Sequence, residues 1–151
     1  MRLPHPAGWP LAGQHRVARA FDPPPQPWLP GHRGTDLVGS AGQPIRSAAA
    51  GTVSFVGTVG GRPLVSVEHP GGWRTTYEPV RGTVKAGQPV AVGTILGLLQ
   101  DGHPRCPEPA CLHWGLRTGD RYLDPLTLLG GGRVRLFPLT GADEQPVPHL
   151  G

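Results

Sequence analysis

Two short stretches carry residues able to hold a metal ion. The first is Gly31-His32-Arg33-Gly34-Thr35-Asp36. Zinc takes imidazole and carboxylate ligands at about 2.0–2.2 Å. A His and an Asp four residues apart, with a glycine between them, can converge on one ion from a turn entering a strand. Taken alone the spacing is weak evidence, because most such pairs are surface polar groups. The second stretch is Cys111-Leu112-His113-Trp114-Gly115-Leu116-Arg117. Residues two apart share a strand face, so Cys111 and His113 point the same way. A strand can present His113 rigidly to a metal. On this stretch alone, a histidine hydrogen-bonded in the core is the better reading.

The elements that must position these residues are short. The chain has 151 residues, of which 24 are Gly and 20 are Pro. They punctuate apolar runs such as Thr52 to Val56 and Leu64 to Val67, a pattern of strands and turns. Glu and Lys are scarce, which argues against long helices. The expected fold is all-β, a β-sandwich or barrel-sandwich hybrid of short antiparallel strands with tight Gly turns. One domain is expected over residues 9–129, after a tail at 1–8 and before a C-terminal strand and Pro-rich tail at 130–151. Residues 22–30, DPPPQPWLP, form a Pro-dense loop leading into His32. Asp124 reads as the N-cap of a single turn that begins at Pro125.

Ala41-Gly42-Gln43-Pro44-Ile45 recurs as Ala86-Gly87-Gln88-Pro89-Val90. A beat of three extends the second copy through Val84, Gly87, Val90, Gly93 and Leu96. That beat fits short strands joined by glycine turns, and a repeated hairpin is the simplest account.

Charge adds little. The formal net charge is +4, and Lys85 is the only Lys. The Arg residues are scattered, with no basic run. No aromatic-basic platform points to nucleic acid. No apolar run approaches the ~20 residues of a membrane span, and Met1 to Pro10 show no signal-peptide core.

As an ordered set, the stretches resemble the lysostaphin/LytM-type peptidoglycan zinc metalloendopeptidases. Gly31 to Leu37 resembles that family's H-x-x-x-D element. Leu112 to Arg117 resembles the end of its H-x-H-F-E-x-R strand. Gly42 to Ile45 with Gly51 to Val53 resembles its G-x-x-V…G-x-V hairpin. Glu68 to Gly72 with Thr75 to Tyr77 resembles its H-x-x-G…T-x-Y pair. The likeness runs over roughly residues 9–129. It implies one zinc ion (Zn2+) on His32, Asp36 and His113, with one position left open for water or a peptide carbonyl. It also implies cleavage of peptide bonds in peptidoglycan stems or cross-bridges, in the cell envelope or outside the cell. Tyr77 and Trp114 are expected in the core or along the substrate groove, and His69 in a turn or groove without a metal role.

The likeness fails at two positions. The His of the family's Y-x-H-L falls on Pro79, and the first His of H-x-H falls on Cys111. General acid–base help is typically worth ~10²–10⁴-fold, so a weakly active or inactive, peptide-binding domain is expected unless another group substitutes. An active endopeptidase is the alternative, with His103 as the substitute base. Glu78 is adjacent to Pro79, but alternation sets it on the other strand face. Cys111 suits either a disulfide to Cys106 or a fourth zinc ligand, and the extracellular home implied by the resemblance favours the disulfide. A biotinyl or lipoyl carrier shares the beat of three. Lys85, however, lacks the Met neighbour expected beside an acceptor lysine.

Overall fold

The segment Trp73-Arg74-Thr75-Thr76-Tyr77-Glu78 sets the pattern of the fold. Trp73, Thr75 and Tyr77 are buried, and the residues between them are half-buried. Period-two alternation turns the first set into the core and the second toward a groove. The structure, a computed structural model, describes residues 2–13, 15–26, 28–103 and 106–130.

Among the described residues the strands in chain order are β1 (Val17–Arg19), β2 (Thr35–Gly39), β3 (Pro44–Arg46), β4 (Gly51–Val59), β5 (Arg62–His69) and β6 (Trp73–Glu78). They continue as β7 (Val80–Gly82), β8 (Pro89–Val90), β9 (Ile95–Leu99), β10 (Ala110–Thr118) and β11 (Arg121–Leu123). A 3-10 helix at Pro125–Gly130 follows. The larger antiparallel sheet has the order β1-β2-β10-β6-β5-β4-β8, with β11 paired to β10. The smaller sheet is β3-β9-β7. The all-β expectation holds. No helix among the described residues is long and apolar enough to cross a membrane.

The repeated AGQPI/AGQPV segment is one turn used twice, leading into a different sheet each time. Gln43 N donates to Ser40 O at 3.0 Å, and Gln88 N donates to Lys85 O at 3.0 Å. Gly42 and Gly87 hold φ near +85° and +90° at the third position, the requirement of a type II turn. Each Gln side chain then accepts from the backbone N–H that opens its turn. The first copy leads into β3 of the smaller sheet, and the second into β8 of the larger one.

Core packing runs from Leu37, Val65, Val67 and Tyr77 of the larger sheet to Ile45, Leu96 and Leu99 of the smaller one, all fully buried. The segment expected as a tail, 1–8, takes part. Leu3 is 1% exposed, Arg2 O accepts from Trp73 Nε1 at 2.9 Å, and Ala7 bridges Ala49. A single apolar residue between Arg2 and Pro4 is a weak sequence signal, yet here it joins the core that holds Trp73. The Asp124 cap forms as expected, accepting from Leu126 N at 3.0 Å. The strand and tail expected after residue 130 lie outside the described residues.

Candidate metal centre

β10 lies between β2 and β6. Its His113 pairs with Asp36 on one side and Glu78 on the other. Directly opposed residues share a sheet face, so Asp36, His113 and Glu78 form one row on the side away from the core. His32 joins from the segment before β2. Its backbone N–H and C=O bridge Asp22, at 2.6 and 2.8 Å. The Pro-dense loop thus ends in a fixed pair of hydrogen bonds beside the ligand.

His32, Asp36 and His113 offer ligand atoms that all lie within 4.8 Å of one another. Asp36 Oδ1 sits 3.1 Å from His32 Nε2 and 2.8 Å from His113 Nδ1. His32 Nδ1–H donates to Ala20 O at 2.8 Å. That bond fixes the tautomer and leaves the Nε2 lone pair aimed at the site. Burial opposes ionisation of Asp36, but hydrogen bonds from His103, His113 and His32 outweigh it and hold the carboxyl well below the ordinary range. Two imidazole nitrogens and an anionic carboxylate, with one tautomer fixed from behind, fit the donor set of a catalytic zinc site.

Gly34 makes room for this arrangement. A Cβ there would stand 2.6 Å from Trp114 O and 2.7 Å from His113 Nε2. The glycine between the two ligands is needed for close approach to β10.

His103 is brought to the centre. Its Nε2 lies 3.1 Å from Asp36 Oδ2, and its side chain is 9% exposed. The loop that carries it is tied down by a disulfide between Cys106 and Cys111, with Cα atoms 5.8 Å apart. Cys111 is therefore not a thiolate ligand. Pro79 is buried and carries no titratable group.

Tyr77 and Trp114 are core residues, which corrects the groove expectation. Both are fully buried, and they pair with each other across β6 and β10. Each is one residue from the metal-side row, and period two turns it inward. Tyr77 Oη accepts from Ala48 N at 2.9 Å and meets Thr75 Oγ1 at 2.7 Å. His69 extends the same buried chain, between Ala50 O at 2.7 Å and Thr75 Oγ1 at 2.8 Å. It lies in neither the groove nor the metal centre.

The groove runs along the outward face instead. A cavity of about 600 Å³ is lined by Phe55, Ser66, Arg74, Thr76 and Arg117, and it reaches His113 and Glu78. A second cavity of about 250 Å³ lies over the metal centre, between His32, His103, His113 and Glu78. Glu78 lines both, which corrects the expectation that it faces away from the site: Pro79 is buried, and Glu78 is the residue in phase with the metal-side row. Tyr77 is inside, so Glu78 must face out beside His113.

Comparison with known proteins agrees with this geometry. The model of peptidase family M23 matches residues 30–125. An uncharacterized protein of Mycobacterium tuberculosis is 50% identical over 137 residues, covering 88% of this chain and 55% of that protein. The chain thus spans about half the length of the curated relatives it matches. The catalytic domain of the antimicrobial peptidase lysostaphin from Staphylococcus simulans superposes with a TM-score of 0.64 at 20% identity, covering 77% of this chain and 92% of that one. A zinc-containing peptidase from Vibrio cholerae gives 0.63 at 23% identity, covering 76% and 37%. These two likenesses show the fold. The family match and the 50% identity show more: this chain belongs to peptidase family M23, a family of zinc metallopeptidases.

Proposed function

We propose that the domain holds one zinc ion through His32 Nε2, Asp36 and His113 Nδ1. We further propose that it hydrolyses peptide bonds in peptidoglycan stems or cross-bridges, in the cell envelope or outside the cell. The carrying observation is the convergence of these three ligands beneath a cavity that opens into the long groove. Zinc bound there would polarise a peptide carbonyl and make water a better nucleophile near neutral pH. The chain's own residues do the rest. His32 presents one fixed nitrogen, Asp36 stays anionic, and the groove along β4, β5, β6 and β10 accepts an extended peptide. The disulfide supports a location outside the reducing cytosol.

The second reading is a domain that binds zinc and peptides with little hydrolysis. It is favoured by Pro79 and by Cys111 locked in its disulfide, since neither can move a proton. His103 and Glu78 at the same cavity weigh against it.

Protein purified without added zinc should contain about one zinc per chain by elemental analysis. Incubation with purified cell walls should release new amino termini at rates near ~1–10³ s⁻¹. Zinc without release would favour the binding reading, and absence of zinc would overturn both.

A further inference from the structure

We infer that Glu78 is the proton-transferring base of this site, taking over the work of the two missing imidazoles. The inference rests on the peptidase reading above.

The argument begins with register. Glu78 stands opposite His113, which stands opposite Asp36. A carboxylate is thereby set on the same face as two ligands, one strand further out. Its side chain is 22% exposed, so water and substrate can reach it. It is the only acidic group lining either cavity at the centre among the described residues. Arg62 Nε lies 3.7 Å from Glu78 Oε1, an ion-pair contact on the side of the second cavity.

His103 is the competing base, and its geometry suits a different task. Its Nε2 lies 3.1 Å from Asp36 Oδ2, close enough for an ion pair though not aligned as a hydrogen bond, against the oxygen that His32 and His113 do not share. A group held against the outer oxygen of a ligand carboxylate orients that ligand. His103 is therefore a positioning residue.

The step balances with a glutamate alone. Glu78 takes a proton from the attacking water as the water oxygen bonds to the peptide carbonyl carbon. The same proton passes to the amide nitrogen as the C–N bond breaks. One water is consumed, a carboxyl and an amine are formed, and Glu78 returns to its carboxylate. A carboxylate beside the metal is a known solution to this task in zinc peptidases of the H-E-x-x-H type, on an unrelated arrangement.

The test uses the zinc-loaded full chain and Glu78→Gln, which keeps size and polarity. Turnover on purified cell walls should fall at least 10²-fold, with KM, zinc content and melting temperature unchanged. Acetohydroxamate binding, followed by calorimetry, provides a readout independent of turnover, because a nearby base accepts the hydroxamic proton. Glu78→Gln should weaken it at least tenfold. Turnover within threefold of wild type, or hydroxamate binding unchanged, overturns the inference. So does a larger loss of turnover in His103→Gln than in Glu78→Gln. If wild-type protein releases no amino termini, the peptidase reading fails. The catalytic role of Glu78 falls with it, and the hydroxamate difference tells the two failures apart: a tenfold loss shows that Glu78 still accepts a proton at the centre, and no loss ends that as well.

Discussion

His103 Nε2 stands 3.1 Å from Asp36 Oδ2, while His32 and His113 share Oδ1 of the same carboxylate. One buried aspartate thus holds three imidazoles, and the third comes from a loop that the disulfide ties to β10. The ligand set and the loop should separate experimentally. His113→Ala should abolish stoichiometric zinc without unfolding the domain, because its side chain is partly exposed and lies outside the core. Elemental analysis and circular dichroism check this. Retained zinc would end the ligand assignment. His103→Ala should keep zinc, with affinity lowered about 10–100-fold, the usual cost of removing a partner behind a ligand.

Reduction of Cys106–Cys111 should free the His103 loop. The two cysteines are five residues apart, and the chain-entropy relation gives about 2 kcal/mol for so short a loop. Urea unfolding with and without reductant measures the difference. Alkylation of the non-reduced protein should modify neither thiol. Two modified thiols would disprove the pairing.

Much of this site was legible in the sequence because its signals are local. The H-x-x-x-D spacing places His32 and Asp36 on one turn-to-strand segment, and His113 is fixed by its offset within a strand. What escaped depends on which face is inward. In sequence, Tyr77 and Trp114 fit either the core or a groove wall; each is one residue out of phase with the metal-side row, which puts both in the core. That same phase reveals Glu78. Leu3 escaped for a different reason: its burial depends on Trp73, far away in the chain. Nor could sequence show that Ala20 O fixes the His32 tautomer, since a backbone carbonyl has no residue signature.

Gly34→Ala should damage the metal centre through sterics. The new methyl group would meet Trp114 O and His113 Nε2, both closer than 3 Å. The backbone oxygen cannot yield without disturbing β10. A cost of about 1–3 kcal/mol in stability is expected, as for other overpacked sites, together with weakened zinc binding. Calorimetric zinc titration against wild type checks this. Unaltered affinity would mean that the His113 ring has room to move.

Tyr77→Phe tests the corrected role of Tyr77. Its hydroxyl serves Ala48 N and Thr75 Oγ1 in a fully buried position. Removing it leaves a buried donor unsatisfied, at about 1–3 kcal/mol. Stability should fall by that order in denaturant unfolding, while affinity for cell-wall fragments stays unchanged. Lost affinity at unchanged stability would return Tyr77 to the groove.

His69 should make stability depend on pH. Burial lowers its pKa from the ordinary value of 6.5, and the hydrogen bond to Ala50 O opposes that shift without cancelling it. The unfolded chain therefore takes up this proton at a higher pH than the folded chain does. Between the two pKa values the unfolded state holds more protons, so stability rises with pH across that window. It is fully present above about 6.5 and is lost as pH falls from there toward the folded pKa. His69→Gln removes the titrating group and keeps hydrogen-bonding capacity toward Ala50 and Thr75. Denaturant unfolding at pH 7.5 and pH 5.5 should show a larger loss for wild type than for the variant. The other histidines are common to both proteins, so the difference between the two losses belongs to His69. Equal losses in both proteins would mean that the His69–Thr75–Tyr77 chain opens before the imidazole is forced to titrate.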